Sequence, residues 1–352
     1  MGFAHTVRGL LNLEPNNMNL RLLPLLVLLS VTAGARAELE PASSPPVVDL
    51  RVGLARAMSH DPSLAKGAGQ AGYVELERGG VIGALLPLPI VDADSKAKSA
   101  LGDYLTLRGA LGASQRFTIG DCRRRSGRIF VWFELEAPKE LAQAPAAVGV
   151  WVERGVRVFR IGNEHDNELA TTATVTVPDP VTGLTPAGRD VVARILAAGA
   201  VVDVSGASEP AINEVLVLAE RAHAPVIASH SNARALADRR GNLSDAAIRG
   251  IARGGGLVAV TLARESLAAG RPATLEHLIR QISYLVRIAG AEHVALGTGF
   301  ESGVGPVQDF RSAEDLPRLA RGLRSAGLSG IDVERVFYRN ALRVLCAPRA
   351  SE

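Results

Sequence analysis

The stretch PAGRDVVARILAAGAVVDVSGASEPAINEVLVLAERAHAPVIASH, residues 186–230, repeats one structural pattern twice. Each time, a run of helix-forming residues is followed by a short β-branched run that ends in small or polar residues. This pattern predicts helices over 186–198 and 210–222, and strands over 200–206 and 224–230. Pro186 suits the first turn of a helix, where no amide hydrogen is needed. Because helices of this length alternate with strands, the stretch predicts parallel β/α units.

The same alternation extends over most of the chain. Ser244 and Asp245 open a further predicted helix over 244–253. The predicted strands are 47–54, 80–88, 128–136, 155–162, 200–206, 224–230, 255–262 and 293–300. Eight units over about 250 residues match the size of a closed barrel. We therefore predict an α/β fold, a TIM-like (β/α)8 barrel, with an open doubly wound sheet as the alternative that periodicity leaves open.

The N-terminal segment has the three parts of a secretory signal peptide. A short basic start at Met18 precedes an apolar run over 22–32 and a small-x-small pattern that ends at Ala37. We expect residues 1–37 to be a signal segment, with Met18 as a possible true start. Residues 38–46 then form a proline-rich linker, and 47–348 a single barrel domain. The chain would be secreted or periplasmic, without a stable membrane anchor after cleavage.

Charge and motifs exclude several classes of function. The chain has 39 Lys+Arg against 36 Asp+Glu, and removal of the signal segment leaves 36 against 35. Such balance gives no electrostatic footprint for nucleic acid. The letters of Gly67–Gly72 match G-x-G-x-x-G, but no predicted strand directly precedes them, so a dinucleotide site is not expected.

Export would permit a disulfide between Cys122 and Cys346, and the sequence leaves their pairing open.

Polar residues stand where the predicted strands end. Glu134 and Glu136 share one face of the third strand by two-residue alternation, with Trp132 below them. In a β/α barrel, chemistry takes place at this carboxyl end. Two acids pointing into the mouth repel each other unless a cation or a proton lies between them. The sequence therefore predicts a compensated acidic pair at the mouth.

At these strand ends the sequence resembles the membrane (renal) dipeptidase family, zinc peptidases with an amidohydrolase-like barrel. The resemblance runs from about Val47 to Leu345. Its most specific segments are GLTPAG at 183–188, GAVVDVS at 199–205, PVIASHSNARAL at 225–236, NLSD at 242–245 and NALRVL at 340–345. The resemblance implies dipeptide hydrolysis by two bridged zinc ions. These need Asp-x-His-x-Asp on strand one, a Glu on strand three, His after strands five and six, and an acid after strand eight.

Carried over position by position, this ligand set is mostly replaced. The retained family ligand positions are Glu136 and His230. The substituted ones are Arg51, Gly53, Gly206 and Gly299. Each zinc requires at least three protein donors, so the resemblance with these losses implies that no metal is bound. The other residues predicted to line a pocket are Glu134, Asn163, His165, Arg239, Arg240 and Glu301.

Three functional hypotheses follow. The first is an exported pseudoenzyme without a cofactor that binds a peptide or a cell-envelope fragment. In this hypothesis the Arg51 guanidinium occupies the space of the metal and bonds Glu134 or Glu136. The second is an active hydrolase with one zinc ion held by Glu136, His165 and His230. The third is a structural role for the outer surface, and no pattern specifies an oligomeric state.

Overall fold

The computed structural model describes residues 44–54, 69–88, 100–120, 122, 127–136, 138–163, 165–173, 183–268, 270, 272–302 and 307–348. The predicted signal segment and most of the predicted linker lie outside these residues. Within them, no helix has the length and apolar character needed to cross a membrane.

The strands form one parallel sheet that closes on itself. They are β1 Val47–Asp49, β2 Val81–Leu88, β3 Phe117–Ile119, β4 Ile129–Leu135, β5 Val156–Arg160, β6 Val201–Asp203, β7 Val226–Ala228, β8 Leu257–Val260 and β9 Val294–Leu296. The sheet order is β2-β1-β9-β8-β7-β6-β5-β4, and pairing of β2 with β4 completes the ring. Each of the eight predicted strands contains one strand of this ring. The closed (β/α)8 barrel is thus confirmed over the open sheet, while β3, which pairs with the start of β4, was not predicted.

Helices pack outside the barrel. They are α1 Tyr73–Arg78, α2 Ala100–Ser114, α3 Pro138–Gln143, α4 Ala147–Glu153, α5 Pro186–Ala197, α6 Glu209–Arg221, α7 Asp245–Arg253, α8 Arg264–Ala268, α9 Leu275–Ala289, α10 Leu316–Ser325, α11 Gly330–Glu334 and α12 Asn340–Leu345. The side chains of Thr185, Ser208 and Ser244 cap α5, α6 and α7 by accepting a backbone N–H in the first turn. The three predicted helices are thus confirmed to within one residue at each end.

The interior of the barrel changes from apolar to charged along the strands. Its lower part is filled by Val48, Leu50, Leu85, Phe130, Trp132, Val158, Val201, Ile227, Leu257, Ala259 and Ala295. Continuing the same two-residue alternation brings Glu134, Arg160 and Asp203 to the inner face at the carboxyl end. All three are buried. The fold therefore gathers ionisable side chains in the mouth.

A disulfide holds the opposite end of the barrel. Cys122, between β3 and β4, is bonded to Cys346, directly after α12, with the two Cα atoms 5.8 Å apart. Beside it, the buried Arg157 donates hydrogen bonds to the carbonyl oxygens of Val344, at 3.2 Å, and Ala347, at 2.9 Å. The pairing that the sequence left open is thus present, and it fixes the C-terminal helix against the barrel.

Candidate functional site

Arg51, two residues after β1, joins the two acids that the sequence placed in the mouth. Its Nη1 donates to Glu134 Oε2 at 2.7 Å and to Glu136 Oε1 at 2.5 Å. Glu134 is fully buried, and only 12% of the Arg51 side chain is exposed. A buried charge without a partner is costly, and each of these groups compensates the other. The predicted contact of Arg51 is confirmed, with both carboxylates instead of one.

A second arginine reaches the same carboxylate. Arg160, the last residue of β5, places Nε 3.1 Å from Glu136 Oε1. Its Nη1 lies 3.0 Å from Nε2 of His230. Sequence reasoning missed Arg160, although its two-residue spacing from the inward Val158 is a signal that could have found it. Glu136 Oε1 thus lies between two guanidinium groups.

His230 is a neutral acceptor in this arrangement. Burial lowers the pKa of His230 well below its ordinary value, and the charges of Arg51 and Arg160 act in the same direction. Because Arg160 can only donate, Nε2 accepts and Nδ1 carries the proton. Nδ1 then donates to Ser229 Oγ at 2.7 Å. The hydroxyl of Ser229 in turn donates to Asp203 Oδ2 at 2.5 Å.

The pKa values of Glu134 and Asp203 are shifted in opposite directions. Burial raises the pKa of Glu134 well above its ordinary value, and the charge of Asp203 raises it further. Burial would also raise the pKa of Asp203, but interactions with Glu134, His230 and Ser229 hold it below its ordinary value. Glu134 Oε1 is buried and has no hydrogen-bond partner among the described residues. Two adjacent buried carboxyl groups thereby avoid two negative charges.

Glu136 stays ionised. Burial disfavours its charge, but the positive charges of Arg160 and Arg51 outweigh burial and lower its pKa. We call Arg51, Glu134, Glu136, Arg160, Asp203 and His230 the mouth cluster. Arg51 and Arg160 are its cations, and Glu136 and Asp203 are the acids whose pKa values lie below their ordinary values.

The glycines at the substituted positions are in backbone environments that disfavour a side chain. A Cβ on Gly53 would lie 2.5 Å from the backbone oxygen of Glu301. Gly206 has φ of 79°, and a Cβ there would lie 3.0 Å from the backbone oxygen of Asn163. Gly299, with φ of 78°, donates its N–H to the carbonyl oxygen of Arg51 at 2.8 Å. At Gly53 the chain packs too closely for a side chain, and at Gly206 the backbone is one that glycine favours.

The other predicted pocket residues are engaged elsewhere or exposed. His165 is exposed on the loop after β5. Arg239 Nη2 lies 3.2 Å from Glu265 Oε2, and Arg240 is exposed. Asn163 accepts a hydrogen bond from Thr172 through its backbone oxygen. The carboxylate of Glu301 accepts the backbone N–H groups of Gln70 and Ala71.

The one-zinc hypothesis is not supported by this geometry. Glu136 and His230 both lie against Arg160, whereas His165 is exposed. In the part of the chain that the structure describes, no group of three or more His, Cys, Asp or Glu side chains is arranged to hold a metal ion. The structure does not bring His165 together with the other two residues as ligands.

The closed ring of eight parallel strands places the chain in the class of (β/α)8 barrel proteins. A metallo peptidase from Rhodobacter sphaeroides has the same fold, with a TM-score of 0.74 and 20% identity over 86% of this chain and 99% of its own. The probable dipeptidase PvdM from Pseudomonas aeruginosa gives a TM-score of 0.73 and 23% identity, over 86% of this chain and 94% of its own.

Within this class, residues 110–350 match the membrane dipeptidase family, peptidase family M19, and the chain belongs to that family. Arg51 and Gly53 lie before residue 110, so the match to the family does not include them.

Curated relatives align over part of their length. An uncharacterized protein in the pqqA 5' region of Klebsiella pneumoniae is 37% identical over 172 residues, which are 48% of this chain and 62% of the relative. Dipeptidase tcpJ of Claviceps purpurea is 27% identical over 223 residues, 63% of this chain and 51% of the relative. The chain thus spans less than two thirds of the length of these relatives.

Proposed function

We propose that this chain is an exported, non-hydrolytic member of the membrane dipeptidase family that binds a peptide or a cell-envelope fragment at the barrel mouth. The observation that carries the proposal is the position of Arg51, whose Nη1 contacts both Glu134 and Glu136. A hydrolase of this family would use these carboxylates near metal ions. Here a guanidinium contacts both of them.

The described side chains do not fit a pair of zinc ions. Glu136 and His230, the two retained family positions, both contact guanidinium groups. A divalent cation beside them would face two positive charges at short range. Each zinc also needs at least three protein donors, and glycine at 53, 206 and 299 supplies no side-chain donor. No catalytic step through a metal is therefore assigned to this chain.

Export is supported by two features. The segment from Met18 to Ala37 has the organisation of a signal peptide. The disulfide between Cys122 and Cys346 belongs to an oxidising compartment, because cytosolic thiols are kept reduced. Thiol labelling of intact cells with a membrane-impermeant reagent after mild reduction tests the proposal, since only an exported chain would react.

Binding is supported by the polar mouth that the barrel retains. Part of the Arg51 side chain is exposed there. The family resemblance implies a carboxylate-binding arginine at the position of Gly241, and Arg239 and Arg240 lie directly before it. A dipeptide carries one carboxylate and one ammonium group, so it offers charges of both signs to such a mouth. The expected ligand is a short peptide or an envelope fragment that contains one.

A paired assay tests both halves of the proposal. The purified chain is incubated with dipeptides of L,L and L,D configuration in added zinc, and amine release is measured. Binding of the same dipeptides is measured by calorimetry for the native chain and for the Arg239→Ala and Arg240→Ala variants. We expect no hydrolysis, and binding that at least one substitution weakens. Hydrolysis that His230→Ala abolishes, with stoichiometric zinc in the native chain, would overturn the proposal in favour of an active metallohydrolase.

A further inference from the structure

We propose that Arg51 and Arg160 form a fixed cation pair, bridged by Glu136, that takes the structural place of two metal ions and makes the mouth independent of metal. The inference deepens the proposed function, on which it rests for the absence of hydrolysis. It assigns to Arg160 a role that neither the family resemblance nor the sequence patterns indicated.

Glu136 bridges the two guanidinium groups. One oxygen of Glu136, Oε1, lies 2.5 Å from Arg51 Nη1 and 3.1 Å from Arg160 Nε. Each guanidinium then has one further partner. Arg51 also contacts Glu134, and Arg160 also contacts His230. A carboxylate shared by two cations, each with its own additional ligand, is the arrangement that the family resemblance implies for two zinc ions.

The fold holds both guanidinium groups in place. The backbone N–H of Arg51 donates to Asp49 Oδ1 at 3.0 Å, and its carbonyl oxygen accepts from Gly299 at 2.8 Å. Arg160 is part of the β5–β6 ladder, where it lies opposite Asp203. Only 12% of the Arg51 side chain and 8% of the Arg160 side chain are exposed. Side chains fixed in this way lose little further freedom when they pair.

The charges of Arg160 and Glu136 compensate each other. Removal of Arg160 alone takes one of its two guanidinium partners from Glu136 Oε1, and removal of Glu136 alone leaves two buried guanidinium groups without the carboxylate between them. Removal of both takes away one charge of each sign. A buried pair of this kind is costly to break and nearly neutral to replace as a whole. The coupling energy between Arg160 and Glu136 therefore distinguishes a bridged cation pair from two unrelated buried arginines.

A double-mutant cycle on the full chain measures this coupling. Unfolding in urea is compared for the native chain, Arg160→Met, Glu136→Gln and the double variant. We expect each single substitution to raise the unfolding equilibrium constant on the order of 100-fold. If the two effects were independent, the unfolding equilibrium constant of the double variant would rise by the product of the two single increases. We expect its rise to be at least about tenfold smaller than that product. Additive effects would overturn the inference.

Arg157→Met is the matched control. Arg157 lies on the same strand and is buried, but it donates to backbone carbonyl groups at the other end of the barrel. Its substitution should destabilise the chain without coupling to Glu136→Gln. Coupling of equal size for Arg157 would show that the cycle reports a general loss of packing, and would overturn the inference.

Metal content supplies a second readout that does not require any variant to fold. The native chain is dialysed against chelator and then against excess zinc, and bound zinc and the urea midpoint are measured after each step. We expect less than about 0.1 zinc per chain and an unchanged midpoint. Stoichiometric zinc that raises the midpoint overturns the cation pair. Hydrolysis of dipeptides by the native chain would overturn the proposed function. If the chain does not hydrolyse dipeptides but the effects of Arg160→Met and Glu136→Gln on unfolding are additive, only the arginine pair is overturned.

Discussion

Asp49 and Asp203 accept three corresponding hydrogen bonds on opposite sides of the barrel, and Asp203 also accepts the hydroxyl of Ser205. Each accepts the backbone N–H of the residue two positions later, Arg51 or Ser205. Each also accepts both the backbone N–H and the hydroxyl of a residue after the neighbouring strand, Thr298 or Ser229. Because β1 and β6 lie four strands apart in the ring of eight, the two aspartates fix the mouth at two opposite points.

The Asp49 carboxyl predicts a pH dependence of stability. Burial raises its pKa to about 6 from an ordinary 3.8. The folded chain therefore holds this proton more tightly than the unfolded chain. The resulting stabilisation is complete below pH 4 and is lost as the pH rises through 6. The difference amounts to about 3 kcal/mol.

Urea unfolding at pH 4, 5, 6 and 7 isolates this group when the native chain is compared with Asp49→Asn. The difference between the unfolding free energies of the native chain and the variant should fall by about 2.4 kcal/mol between pH 4 and pH 7. Parallel pH profiles for the two proteins would contradict the assignment.

Arg51→Lys should destabilise the chain although it conserves the charge. The planar guanidinium presents several donors in a fixed geometry, whereas lysine is a compact charge on a flexible stem. We expect a loss of about 1–3 kcal/mol in the free energy of unfolding, because one buried carboxylate loses its partner. Arg239→Lys, in an exposed pair with Glu265, is the control and should change stability by less than about 0.5 kcal/mol. Equal effects at the two positions would rule out a special role for the Arg51 geometry.

Gly53→Ala tests the close packing of the first strand end. The added Cβ would lie 2.5 Å from the backbone oxygen of Glu301, so that the backbone must move. We expect a loss of about 1–3 kcal/mol of stability, typical of overpacking. In Gly241→Ala the new Cβ meets nothing within 4 Å, and its effect should lie within about 0.5 kcal/mol. Thermal unfolding of both variants checks the difference, and a neutral Gly53→Ala would show that this position can accept a side chain.

Loss of the disulfide should destabilise the chain by about 2–4 kcal/mol, since the bond restricts the unfolded state. Cys346→Ser and the reduced native chain should show the same lowered urea midpoint. The reductant should then have no further effect on the variant, which serves as its own control. A native chain whose midpoint does not respond to complete reduction would contradict a stabilising role for this bond.

The arrangement of the barrel could be predicted because its strands are bounded β-branched runs separated by helices of regular length. The strand β3 escaped prediction because it has only three residues, and its pairing with β4 is a tertiary event. Glu134 and Glu136 could be placed in the mouth by alternation alone.

Arg160 could not be placed with equal certainty, because β5 contains two arginines and its pairing with β4 has a register shift. The choice between Arg157 and Arg160 depends on the register of β5 with its neighbours, which composition does not carry. The contact between Cys122 and Cys346 could not be predicted from the sequence for a similar reason. These residues are 224 positions apart, and only the closed barrel brings Cys346, at the end of α12, to Cys122.

The bond between Cys122 and Cys346 divides the mouth cluster by covalent connectivity. Residues 122–346 form one ring that contains Glu134, Glu136, Arg160, Asp203 and His230, whereas Arg51 lies outside it with β1 and β2. The pairing of β1 with both β2 and β9 completes the sheet, and the same strand carries Arg51 to the two glutamates. The closure of the barrel and the contacts of Arg51 in its mouth therefore depend on one strand that the disulfide ring does not include.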